Sequence, residues 1–153
     1  MQRLETRMPP PILCALVAVC MWAGAQGTAA LAPAHGLRLG LAVLTGFVGL
    51  CFAAPAFREF GRASTTVDPT RPQSASALVT TGIYGLTRNP MYVSLTALLL
   101  AWAVWLGAAM ALLGPVTFAL FLTRFQIMPE ERALQAKFGD SYTAYRQRVR
   151  RWL

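Results

Sequence analysis

Charge is scarce in this chain. Asp, Glu, Lys and Arg together make up 13% of its 153 residues, while hydrophobic residues reach 56%; an ordinary soluble domain carries about 25% charged residues. That balance argues against a water-soluble domain. Cysteine is equally sparse: Cys14, Cys20 and Cys51 each sit inside an apolar run without paired spacing, which excludes a disulfide framework and a zinc motif and reads as three small core hydrophobes. Histidine occurs once, at His35, and lysine once, at Lys137. A glycine-rich nucleotide fingerprint, an internal repeat and a low-complexity tract beyond Ala- and Leu-rich stretches are all absent. The formal charge is +8, but the cations lie between and after long apolar runs. They point to a membrane surface and away from nucleic acid as a partner.

The apolar runs themselves are long. Residues 12–34 contain no side chain charged at pH 7 and as a helix reach roughly 35 Å, enough for a hydrocarbon core of about 30 Å. A second uncharged run covers 39–57, with Pro33 and flanking glycines supplying a short connection before it. The third, 89–123, is too long for one crossing and fits a tight helical hairpin with arms at 90–105 and 108–128. In that hairpin Gly114 and Pro115 are expected to kink the second arm. The chain therefore reads as all-α, a single polytopic membrane domain of about four transmembrane helices over residues 1–153, with short C-terminal interfacial helices at 129–152. Thirteen of the fourteen cations fall before the first span, in the 58–88 loop or from Arg124 onward, and only Arg38 falls opposite. The positive-inside rule then places both termini and that loop in the cytoplasm, and a short, Arg- and Ala-rich chain suggests a bacterial inner membrane.

Polar chemistry belongs on that one face. In the tail, Leu134, Phe138, Tyr142, Tyr145, Val149 and Trp152 recur at helical spacing and predict an apolar stripe lying at the interface, broken at Gly139 and restarted with Asp140 as cap. Arg146, Arg148, Arg150 and Arg151 would meet anionic headgroups. Two clusters stand out as candidate sites. In the first, Arg88 precedes Asn89 and Pro90, a good N-cap and first helical residue; a guanidinium beside free helix N–H groups can hold a carboxylate or phosphate. In the second, Glu130 and Glu131 follow Pro129 at a helix start, where acids suit the dipole and also make a carboxylate and guanidinium site if they approach Arg88.

Residues 78–84, Leu-Val-Thr-Thr-Gly-Ile-Tyr, then Arg88, Asn89, Pro90, Met91 and Tyr92, then Glu130, Glu131, Leu134, Phe138, Gly139, Tyr142, Tyr145 and Arg151 together resemble the isoprenylcysteine carboxyl methyltransferase and phospholipid methyltransferase family. The resemblance runs from residue 62 to 153. It implies a membrane methyltransferase that uses S-adenosylmethionine on a lipophilic acceptor, a carboxylate, amine or thiol, with membrane lipids as its surroundings. On the matching positions, Leu78, Val79, Tyr84, Asn89, Pro90, Met91, Tyr92 and Glu130 would line the cofactor site. Arg88 would hold the cofactor's carboxylate, and Glu131 would accept a proton if the acceptor carries one. The chain departs from the prenylcysteine pattern at Gln126, where an arginine for the substrate carboxylate is expected; Arg124 is the nearest substitute. Two other readings fit parts of the pattern: a membrane sterol or steroid reductase using a nicotinamide dinucleotide, and a non-enzymatic helical scaffold in which the motifs serve only as caps.

Overall fold

A computed structural model describes residues 8–28, 34–62 and 77–153, and among these every regular element is helical. The expectations resting on Arg3, Arg7, Pro33 and Arg71 lie outside the described residues. Helix α1 is Pro10–Ala25, α2 is His35–Arg62, α3 is Pro90–Leu106, α4 is Leu113–Leu122 and α5 is Met128–Arg148. Single tighter turns at Gly82–Gly85 and Ala109–Leu112 precede α3 and α4, and one wide π turn, Thr123–Ile127, joins α4 to α5.

Helix α3 is the centre of the bundle. Helices α1, α2 and α4 all pack on it, and α1 also meets α4. Leu99 and Ala103 of α3 close the core with Met21, Phe118, Leu122 and Ile127. The Trp102 indole donates to the Ala18 carbonyl at 3.0 Å, tying α3 to α1 through a backbone acceptor that a helix interior would otherwise keep to itself. At the far end of α3, Gly107 takes φ +67°, and its N–H closes on the Ala103 carbonyl. A side chain there would be strained by that φ and would run into the Arg38 guanidinium. The tight turn near 106–108 follows from this one residue.

Two helical stretches, His35–Arg62 and the run from Ala109 to Arg148, are long and apolar enough to cross a membrane. The outward faces of the bundle are correspondingly apolar: Val43, Phe47 and Leu120 are all exposed, a surface that lipid tolerates and water does not. Helices α1 and α3 are shorter, 16 and 17 residues.

Several details differ from the sequence reading. Helix α1 ends at Ala25, well before residue 34, because Gly24 and Gly27 weaken the helix and the chain turns there. Helix α2 runs past residue 57 to Arg62, held by a Glu59–Arg62 pair at 3.0 Å one turn apart. Gly114 and Pro115 introduce no kink: they fall in the first turn of α4, where a missing N–H costs nothing. The helix departs from α geometry later, at the π turn. Cys20 and Cys51 face outward and are not core residues. His35 is the first residue of α2, edge-on to the Trp105 ring at 5.3 Å.

Candidate active site

The polar ends of α3 and α5 meet over a cavity of about 570 Å³. All ten residues singled out from the sequence border it: Leu78, Val79, Tyr84, Arg88, Asn89, Pro90, Met91, Tyr92, Glu130 and Glu131. Most of its remaining wall is apolar, including Pro9 to Pro11 at the start of α1, Leu50, Ala53 and Phe57 on α2, and Leu95 and Leu98 on α3, while Ser94, Tyr142 and Tyr145 add hydroxyls.

The two neighbouring acids have separate surroundings. Glu131 is buried and receives Arg88 Nη2 at 2.9 Å on Oε1, with Arg151 Nη2 on Oε2 at 2.7 Å and Arg151 Nε on Oε1 at 3.0 Å. Both of its oxygens are thus committed to guanidinium groups. Glu130 has no such partner. Its Oε1 accepts the Tyr92 hydroxyl at 2.6 Å and the Gln126 amide at 2.7 Å. Burial pushes the Glu130 carboxyl up to about 7, with the like charge of Glu131 adding to the rise and the two hydrogen bonds opposing it. Burial likewise raises the Tyr84 and Tyr145 phenols, and takes Tyr142 to about 12.

Arg88 is held from several directions. Its backbone N–H donates to the Arg150 carbonyl at 2.9 Å. The Thr87 hydroxyl and Asn89 amide both donate to the Arg151 carbonyl, at 3.2 and 2.9 Å. Arg88 spends its Nη2 on Glu131. Its Nε and Nη1 are buried with no hydrogen-bond partner among the described residues, an arrangement that costs free energy until an anion arrives.

Four expectations are corrected by this geometry. Asn89 occupies the N-cap position of α3, but its side chain goes to Arg151 and makes no cap hydrogen bond. The tail stripe breaks at Gly139, as its spacing predicts. Yet its residues turn inward: Tyr142, Tyr145 and Val149 pack with Leu78, Leu134 and Phe138, and Tyr145 donates to the Tyr84 carbonyl at 2.8 Å. A loop carrying its own apolar residues offers them a partner better than the interface. The Gly139 carbonyl, and not Asp140, anchors the restart, receiving Gln135 and Thr143. Arg151 is engaged by Glu131 and so is not a free headgroup contact.

The sequence reading gave no site role to Gln126, Phe57 or Phe60. Gln126 is buried and reaches Glu130 because the π turn rotates it inward, while Arg124 stays exposed over the Phe125 ring. Phe60 meets Tyr84 edge-on at 5.5 Å. The signal available for Gln126 was its distance of four residues from Glu130, one helical turn.

Comparison with known proteins bears on this site directly. A sequence model described as phospholipid methyltransferase matches residues 37–141, most of the chain and most of the cavity wall. The chain belongs to the phospholipid methyltransferase family. Within the same broad group it is 31% identical over 109 residues to the protein-S-isoprenylcysteine O-methyltransferase of Schizosaccharomyces pombe, covering 67% of this chain and 43% of the relative. It is 35% identical over 95 residues to protein-S-isoprenylcysteine O-methyltransferase B of Arabidopsis thaliana, covering 58% of this chain and 45% of the relative. The chain thus spans less than half the length of these two methyltransferases. An uncharacterized protein of Haemophilus influenzae is 54% identical over 63 residues, 41% of this chain and all of that protein. No solved structure matches.

Proposed function

We propose that this chain is an integral membrane methyltransferase that moves a methyl group from S-adenosylmethionine to a lipophilic acceptor at the cytoplasmic face. The observation that carries the reading is Arg88, whose Nε and Nη1 are buried without a partner among the described residues, on a cavity that also presents Glu130. The donor set suits S-adenosylmethionine. Guanidinium N–H groups fit its carboxylate, Glu130 fits its ammonium, sulfonium or ribose hydroxyls, and Leu78, Val79, Tyr84 and Met91 supply apolar and aromatic surface for its base. When bound, that group supplies an activated methyl carbon.

The work left to the protein is alignment and exclusion of water. A nucleophile must approach the methyl carbon opposite the sulfur it leaves, and a rigid cavity wall makes that geometry cheap. The apolar wall of α1, α2 and α3 keeps water out of the polar end and gives a hydrocarbon portion of the acceptor somewhere to lie. Arg88 is oriented by Glu131, which Arg151 holds in turn. Because both Glu131 oxygens are occupied, the proton-accepting role expected of Glu131 passes in this reading to Glu130, and Glu131 keeps Arg88 in place.

Calorimetric binding of S-adenosylmethionine and S-adenosylhomocysteine to the detergent-purified chain, with NADPH as comparison, tests the proposal. Losing a charge-assisted hydrogen bond costs roughly 1.5–3 kcal/mol, so Arg88→Ala and Glu130→Gln are each expected to weaken binding by about ten- to a hundredfold while the protein stays helical by circular dichroism. Wild-type affinity in both variants, or binding of NADPH alone, would remove the proposed site.

A further inference from the structure

We propose that Arg151 is a positioning residue for binding of the methyl donor: by taking both oxygens of Glu131 it keeps that carboxylate from forking onto Arg88, and so leaves Arg88 Nε and Nη1 free for the donor's carboxylate. The inference rests on the methyl-transfer reading and gives a role in it to a side chain that does not itself line the cavity.

The segment that carries Arg151 is built to deliver it. Helix α5 ends at Arg148, Val149 is extended, and the chain then runs back across residues 87–89. There the Arg150 carbonyl receives the Arg88 N–H at 2.9 Å, and the Arg151 carbonyl receives the Thr87 hydroxyl at 3.2 Å and the Asn89 amide at 2.9 Å. One residue further on, the Trp152 indole donates to the Thr123 hydroxyl at 3.2 Å. None of these bonds uses the Arg151 side chain. Its guanidinium is therefore held at Glu131 by a backbone whose own ties survive truncation of that side chain.

The two arginines hold Glu131 unequally. Arg151 grips it side-on, with Nε on Oε1 at 3.0 Å and Nη2 on Oε2 at 2.7 Å, the two-pronged arrangement that a guanidinium and a carboxylate favour. Arg88 makes one contact, Nη2 on Oε1 at 2.9 Å, and the side chains of Arg88 and Glu131 are each only 10% exposed. Little water is present to compete for that contact. A guanidinium forks onto a carboxylate through Nη2 together with either Nε or Nη1. Either fork would spend one of the two N–H groups that Arg88 keeps buried without a partner among the described residues. With Oε2 committed to Arg151, Glu131 has no second oxygen to offer Arg88. Charge acts in the same direction: Arg88 and Glu131 alone would neutralise each other, whereas with Arg151 the group keeps a net positive charge for an incoming anion.

The test is calorimetric binding of S-adenosylhomocysteine to the full purified chain and three variants, each checked for helicity by circular dichroism. Arg151→Ala frees Oε2 to fork onto Arg88 and is expected to weaken binding about tenfold or more, the effect of one charge-assisted hydrogen bond. Adding Glu131→Gln to Arg151→Ala is expected to tighten binding again by at least about threefold, because an amide presents one acceptor oxygen and cannot receive a fork. A residue that served only as a structural tie would leave the double variant as weak as the single one. Arg151→Lys keeps the charge but replaces the fork with a point contact, so it is expected to bind at least about threefold more weakly than the wild type. Wild-type affinity in Arg151→Ala or in Arg151→Lys, or a helical double variant that binds no more tightly than Arg151→Ala, overturns the assignment and leaves the methyltransferase reading standing. Should Arg151→Ala lose its helicity, Arg151→Lys decides alone. A wild-type chain that binds no S-adenosylhomocysteine overturns both.

Discussion

Glu130 and Glu131 are adjacent in sequence and point about 100° apart around the helix, so one turns toward the arginines and the other toward Tyr92 and Gln126. The difference shows in how each affects stability. Glu130 is more comfortable protonated in the folded protein than in the unfolded chain, so its contribution is fully present below the ordinary carboxyl value of 4.5 and is lost as pH rises through about 7. Measured against Glu130→Gln, which has no proton to lose, the wild-type protein is therefore expected to lose roughly 3 kcal/mol of unfolding free energy between about pH 4 and pH 8 in detergent. A pH-independent difference between the two would mean that Glu130 is solvated as an ordinary carboxylate. The importance of the acid pair was legible in the sequence from its position beside Arg88 on one face. The assignment of partners was not, because Arg151 lies 20 residues further on, and only the folding back of the tail brings it to Glu131.

The helices were the most legible elements, since uncharged runs of this length leave the chain few other choices. Their irregularities were less so. A π turn inserts one extra residue per turn with no mark in composition, yet it decides that Gln126 and not Arg124 enters the site. The inward packing of the tail stripe was equally hidden, because an apolar stripe fits a lipid interface and a protein loop alike. That loop is pinned at its other end by the Thr81 hydroxyl, which donates to Glu59 Oε2 at 2.6 Å, and by Gly82 at φ +58°. A Cβ on Gly82 would lie 2.8 Å from Glu59 Cδ. Gly82→Ala thus combines an unfavourable φ, worth about 1–2 kcal/mol, with a clash against the residue that anchors Thr81. The expected outcome is a lower unfolding temperature together with weaker S-adenosylhomocysteine binding, because Leu78, Val79 and Tyr84 move with the loop. An unchanged affinity alongside a lowered unfolding temperature would show that the pin stabilises the fold without shaping the site.

For the whole molecule, the apolar exterior and the confinement of polar chemistry to one end are the same fact. Helix α3 is wrapped by α1, α2 and α4, so its buried side needs no lipid, while the outer faces of α1 and α2 carry exposed apolar side chains among the described residues and require something other than water. Cys20 on α1 and Cys51 on α2 lie on those outer faces and are exposed in the isolated chain, and each makes a natural probe of what covers it. A hydrocarbon environment disfavours the thiolate that reacts and excludes a charged reagent. In sealed vesicles a membrane-impermeant maleimide is therefore expected to leave Cys20 and Cys51 unlabelled, and both should label once detergent and denaturant expose the helices, as read by intact mass. Rapid labelling of Cys51 in intact vesicles would place the outer face of α2 in water. It would then make the apolar surface of that helix a contact for protein, and the lateral approach of a hydrocarbon acceptor past Leu50 and Phe57 would lose its physical basis.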